Sequence, residues 1–141
     1  MSFILNVIRE YGPISRAKVA EKANLSAPTV TRLVHELLKE KLIIDRGVGS
    51  PQNGVGRPPL ILEFDGHNNF VIGVDLGTTN ILGVLANLNA EVITEIKIPT
   101  YVQLDFKKIM ERVRQVILDL IESSRIDKSR IQGIGMGVAG L

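Results

Sequence analysis

At 141 residues the chain can hold one ordinary domain or two small ones, and an apolar fraction of 45% is that of a globular rather than a disordered protein. The absence of cysteine excludes a disulfide framework and a thiolate zinc site. No apolar run approaches the ~18 residues of a membrane span, and Arg9 and Glu10 stand where a signal peptide would place its cleavage region, so no membrane partner and a cytoplasmic location are expected. The net charge of +2 hides an asymmetry. Residues 1–64 carry nine Lys or Arg against six Asp or Glu, a balance of +3, and residues 65–141 carry eight against nine, or −1. A modestly basic first half suits a surface that contacts phosphates, and equally suits ordinary solvated helices.

Phe3, Ile4, Val7 and Ile8 recur at helical spacing until Gly12 and Pro13, which favour a helix end and a turn. Ser15 stands as N-cap of a second helix over residues 16–23, and Asn24 and Leu25 form a short connection. Ser26 caps a third, longer helix with Pro28 in its first turn, where a missing N–H costs nothing. Two short helices joined by three or four residues make a helix-turn-helix shape.

In the third helix Val30, Leu33, Val34, Leu37 and Leu38 follow the i, i+3, i+4, i+7, i+8 rule and form a core stripe. Pro28, Arg32, His35 and Lys39 project opposite that stripe, with Thr29 and Thr31 on its flanks. A helix that reads DNA uses its N-terminal turns, so Ala27, Pro28, Thr29, Thr31 and Arg32 are the residues placed to enter a major groove. Arg32 is the candidate for a guanine edge, and Ser26 and Thr29 suit either bases or phosphates. Ser15 and Arg16, at the start of the second helix, and His35 complete this part of the candidate set. The competing interpretation is a helix that merely closes a small three-helix domain, with Arg32 and Lys39 solvated.

Residues 41–45 and 60–64 are predicted as two short strands flanking a Gly-rich wing over residues 46–59. The wing has too few apolar side chains for a core of its own. Within it Gly56, Arg57 and Pro58 suit an extended arm in a narrow minor groove, where negative potential attracts the guanidinium; the alternative is an ordinary mobile loop.

The segments Ile14 to Glu21, Leu25 to Leu37, Lys41 to Ile44 and Gly56 to Pro59 resemble the N-terminal region of repressors of the ROK family (repressor, open reading frame, kinase), bacterial and archaeal regulators of sugar metabolism. The resemblance spans the first 64 residues almost continuously. It implies double-stranded DNA with a palindromic operator as partner, a homodimer or higher assembly, and a sugar or sugar derivative as effector.

In the second half, residues 70–75, 81–86 and 91–98 are β-branched-rich and separated by tight turns, which predicts an antiparallel meander. From Phe106 the apolar spacing becomes helical, with Asp105 as cap, and residues 131–138 form one more apolar strand. This order resembles the opening of the sugar-kinase and actin-like (ribonuclease-H-like) fold. The expected fold class is therefore α+β, with a winged helix-turn-helix over residues 1–64 and an incomplete sugar-kinase-like domain over residues 65–141. In that fold Asp75, Gly77, Thr78 and Thr79 match the first phosphate loop, where an Asp holds a magnesium shell and a Gly-permitted turn holds phosphates. The remaining elements of an ATP site, and the family's zinc-binding cysteines, would lie after Leu141. The chain is thus expected to be a piece of a longer regulator or a shortened one, to carry no enzyme activity, cofactor or metal, and to self-associate through uncovered apolar surface. A sugar kinase with an N-terminal extension and a protein-docking winged helix are the alternatives. His35 and His67 have no second ligand at metal spacing and are expected to be solvent-exposed.

Overall fold

The computed structural model describes residues 2–48 and 60–139, which form two compact units, Met1–Asp65 and Gly66–Leu141. In the first unit the order is α1 (Ser2–Tyr11), β1 (Ile14–Ser15), α2 (Arg16–Ala23), α3 (Ala27–Lys39), β2 (Ile43–Val48) and β3 (Leu60–Phe64). The strands form one antiparallel sheet in the order β1-β3-β2, with Leu62 opposite Ile14 and Phe64 opposite Ile43. Ile4 and Ile8 of α1, Val19 of α2, Val30, Val34 and Leu37 of α3, Ile43 of β2 and Leu62 of β3 meet in one core. The stripe predicted on α3 is therefore the face that packs; Leu33 and Leu38 are half-buried at its margin. Burial of this kind is what makes a short helix stable, since its backbone bonds alone are marginal in water.

The strand after α3 begins at Ile43 and runs to Val48, later than the expected residues 41–45. Helix termination is the cause. Lys41 takes the left-handed conformation (φ 57°), and the Lys41 and Leu42 amides donate to the carbonyls of Leu38 and Leu37 at 3.1 and 3.0 Å. This closure satisfies two orphan carbonyls of the last helical turn and uses up the residues that would otherwise extend. Of the expected wing, residues 46–48 belong to β2, and residues 49–59, including Gly56, Arg57 and Pro58, lie outside the described residues.

The second unit is a four-stranded sheet with the order β6-β5-β4-β7, made of β4 (Phe70–Leu76), β5 (Asn80–Asn87), β6 (Val92–Pro99) and β7 (Ile131–Val138). The first three form an antiparallel meander, and β7 lies parallel to β4 with Ile72 opposite Ile134 and Val74 opposite Met136. The crossover is α4 (Phe106–Ser124), started by Asp105, whose side chain accepts from the Lys108 amide at 2.9 Å. Val113, Val116 and Leu120 of α4 bury against Ile72, Val74, Ile81 and Leu85. Glycine is required at Gly83 in β5, because a Cβ there would fall 2.4 Å from Val116 Cγ1. At the β7 edge Ile134, Met136 and Val138 stay exposed.

Candidate nucleic-acid interface

Two local devices bound α2. Ser15 has extended backbone and its hydroxyl accepts from the Lys18 amide at 3.3 Å, so α2 starts where a side-chain acceptor meets an orphan donor. Asn24 ends α2 in the left-handed conformation (φ 51°), a position that its short polar side chain tolerates. The Asn24 and Leu25 amides then close on the carbonyls of Glu21 and Ala20 at 3.2 and 3.1 Å. The chain re-enters a helix two residues later.

Ser26 is the N-cap residue of α3 by backbone geometry, but its hydroxyl does not cap an amide as expected. It pairs with the Thr29 hydroxyl at 2.8 Å. Pro28, within the first turn, removes one donor that would otherwise lack a partner. Ala27, Pro28, Thr31, Arg32 and His35 are exposed, and with Glu36 they border one shallow hollow on the outer face of α3. Thr29 is half-buried. Arg32 donates through Nη1 to Glu36 Oε1 at 2.8 Å and remains 66% exposed. Arg16 is half-buried, and its buried Nε has no hydrogen-bond partner among the described residues. Lys22 of α2 lies over the Tyr11 ring, 3.7 Å from its centroid.

A second basic feature, which the sequence reading did not single out, marks the base of the hairpin. Arg46 of β2 forks onto Glu63 of β3 through Nε and through Nη2, the latter 3.1 Å from Oε1. That hydrogen bond, and then the carboxylate's charge, hold the guanidinium above its ordinary range. Glu63 stands opposite Ile44 in the ladder, so Arg46, two residues on, reaches it diagonally across the β2–β3 pair.

In the second unit the residues matched to a phosphate loop share one end of the sheet. Asp75, Thr78 and Thr79 are exposed and Gly77 is half-buried. The Gly77 amide donates to Asn80 O at 2.9 Å. Thr100, buried and absent from the candidate set, closes the turn from outside: its hydroxyl donates to Gly77 O at 2.7 Å and its amide to Thr79 O at 2.9 Å. His35 and His67 are both exposed, and His67 lies 3.3 Å from Glu91. Among the described residues no group of three or more His, Asp or Glu could hold a metal ion, and no helix is long and apolar enough to cross a membrane.

The architecture defines a winged helix-turn-helix followed by the opening sheet and helix of a sugar-kinase-like, ribonuclease-H-like fold. The MarR family model matches residues 2–44. The xylose repressor of Caldicellulosiruptor bescii is 33% identical over 98% of this chain, and that of Bacillus subtilis (strain 168) is 29% identical over 96%. The chain spans about a third of the length of the curated relatives it matches, 34% in each of these two. A crystal structure of a ROK family transcriptional regulator, a homolog of the E. coli MLC protein, superposes with a TM-score of 0.80 and 23% identity, covering 98% of this chain and 34% of that one. Over nearly its whole length the chain is thus similar to xylose repressors and shares the fold of a ROK family transcriptional regulator.

Proposed function

We propose that the chain is the DNA-binding portion of a sequence-specific transcriptional regulator, a repressor of sugar-utilisation genes that responds to a sugar effector in the cytoplasm. The observation that carries this reading is the division of α3. Its inner face is locked into the core, while Pro28, Thr31, Arg32 and His35 are exposed on the other side. Such a helix can enter a major groove without unfolding its own domain. Thr31 and Arg32 would meet base edges, and Ser15, Arg16, Ser26, Ala27, Pro28 and Thr29 would face the backbone or the groove wall. Gly56, Arg57 and Pro58 would enter the adjacent minor groove, and a homodimer would place two such helices on a palindromic operator.

The relatives support a sugar effector as a class. Those named xylose repressor match nearly the whole chain, and the N-acetylglucosamine repressor of E. coli O157:H7 is 30% identical over 65% of it. Asp75, Gly77, Thr78 and Thr79 are read as a structural hairpin that Thr100 holds closed, shared with kinases by descent rather than used for phosphoryl transfer.

Selection of bound sequences from random duplex DNA, run at two salt concentrations, tests the proposal. A palindromic consensus and an affinity that falls steeply with salt are expected. Binding without sequence enrichment, or binding insensitive to salt, would overturn it in favour of a protein-docking role.

A further inference from the structure

On the outer face of α3 the side chain offered to the bases is already held. Arg32 Nη1 donates to Glu36 Oε1 at 2.8 Å, with both side chains open to solvent, 66% and 41% exposed. An exposed i,i+4 pair adds little to helix stability. Its larger physical effect is on where the guanidinium rests. A free arginine stem samples many rotamers and loses that freedom when it docks, so an arm parked in advance binds with less left to lose.

The geometry of the contact leaves the useful edge open. Only Nη1 is engaged, and among the described residues Nε and Nη2 make no further hydrogen bond. Two parallel N–H groups on one guanidinium edge match the O6 and N7 acceptors of guanine. Glu36 lies one turn further towards the C-terminus of α3 than Arg32, away from the N-terminal turns that reach base edges in helix-turn-helix complexes.

Building on the proposal that α3 reads DNA, we infer that Glu36 is a positioning residue: it holds Arg32 by Nη1 so that the Nε and Nη2 edge meets a guanine, and thereby sets the preference at one base pair without touching a base itself. The opposite effect has its own physical basis. A carboxylate near DNA repels phosphates, and if repulsion were its whole effect, removing it would tighten binding to every duplex alike.

The test uses the intact chain and the best duplex obtained by selection. Affinities of wild type, Glu36→Ala and Glu36→Gln are compared on that duplex and on versions changed at each base pair; Arg32→Ala identifies the pair that the arginine reads. Glu36→Ala should lower the preferred-to-changed ratio about three- to tenfold, at that same pair alone. Glu36→Gln, whose amide oxygen can still accept from Nη1, should retain most of the ratio. A merely structural role would weaken all duplexes in proportion and leave the ratio intact. Should Glu36→Ala fail to fold, Glu36→Met keeps the stem without a strong acceptor and repeats the test. An unchanged ratio overturns the inference, whatever happens to overall affinity. So does a change at a pair that Arg32→Ala does not touch, which would make Glu36 a base reader in its own right. A wild-type chain with no base preference would instead bring down the DNA-binding proposal, and the inference with it.

Discussion

Replacing Gly83 by alanine probes how α4 is seated on the second sheet. A methyl group at this position would lie 2.4 Å from Val116 Cγ1 and 2.8 Å from Leu120 Cδ1. Carbon–carbon contacts are comfortable at ~3.5–4.0 Å, so Val116 would have to retreat by about 1 Å. It has little room to do so: Val116 and Leu120 are 1% and 0% exposed, and the β-branched valine has few alternative rotamers. Overpacking of this kind costs ~1–3 kcal/mol. Alanine recovers ~0.5–1 kcal/mol over glycine in a strand, which leaves a net loss of ~0.5–2 kcal/mol. Gly73 in the neighbouring strand β4 is the matched control, because a methyl group there meets nothing within 4 Å. Hydrogen exchange of the α4 amides in the intact chain is the assay. Gly83→Ala should lower their protection about 2- to 30-fold, and Gly73→Ala should leave it unchanged or slightly raised. Equal protection in the two variants would refute the seating of α4 described above.

Leu37→Ala removes a fully buried side chain from the core face of α3 and should cost ~2–5 kcal/mol. Because the outer face of α3 is held in place by the inner one, duplex binding and α3 protection should fall together; retained binding with a melted α3 would contradict this. Thr100→Val keeps the side-chain shape but deletes the 2.7 Å bond to Gly77 O, at a cost of ~0.5–1.5 kcal/mol. Faster exchange of the Gly77 amide is expected, and an unchanged rate would show that Thr100 does not hold the turn.

Features that repeat along the chain were legible in the sequence. The stripe through Val30, Val34 and Leu37, the caps at Ser15 and Asp105, and the strand Ile131–Val138 all follow from spacing and local hydrogen-bonding chemistry. What escaped depends on conformation or on distant partners. Lys41 in a left-handed turn is not a residue that propensity selects for that position, and its choice delays β2. Ser26 had two acceptable partners, and the hydroxyl of Thr29 displaced the amide. Thr100 lies 23 residues from the carbonyl it binds, and Arg46 lies 17 from Glu63, so neither contact has a short-range signature. The link from Arg32 to Glu36 did have one, since opposite charges four residues apart on a helix face each other, and spacing alone would have found it.

In the proposed function the exposed side of α3 discriminates between bases. Arg32→Ala, measured on the preferred duplex and on random duplex at the same salt concentration, tests it most directly. The expected result is a loss of about 5- to 150-fold on the preferred duplex, equivalent to ~1–3 kcal/mol, together with relaxed discrimination at one base pair and a much smaller change on random DNA. An equal loss on both would reduce Arg32 to a phosphate contact and contradict the claim.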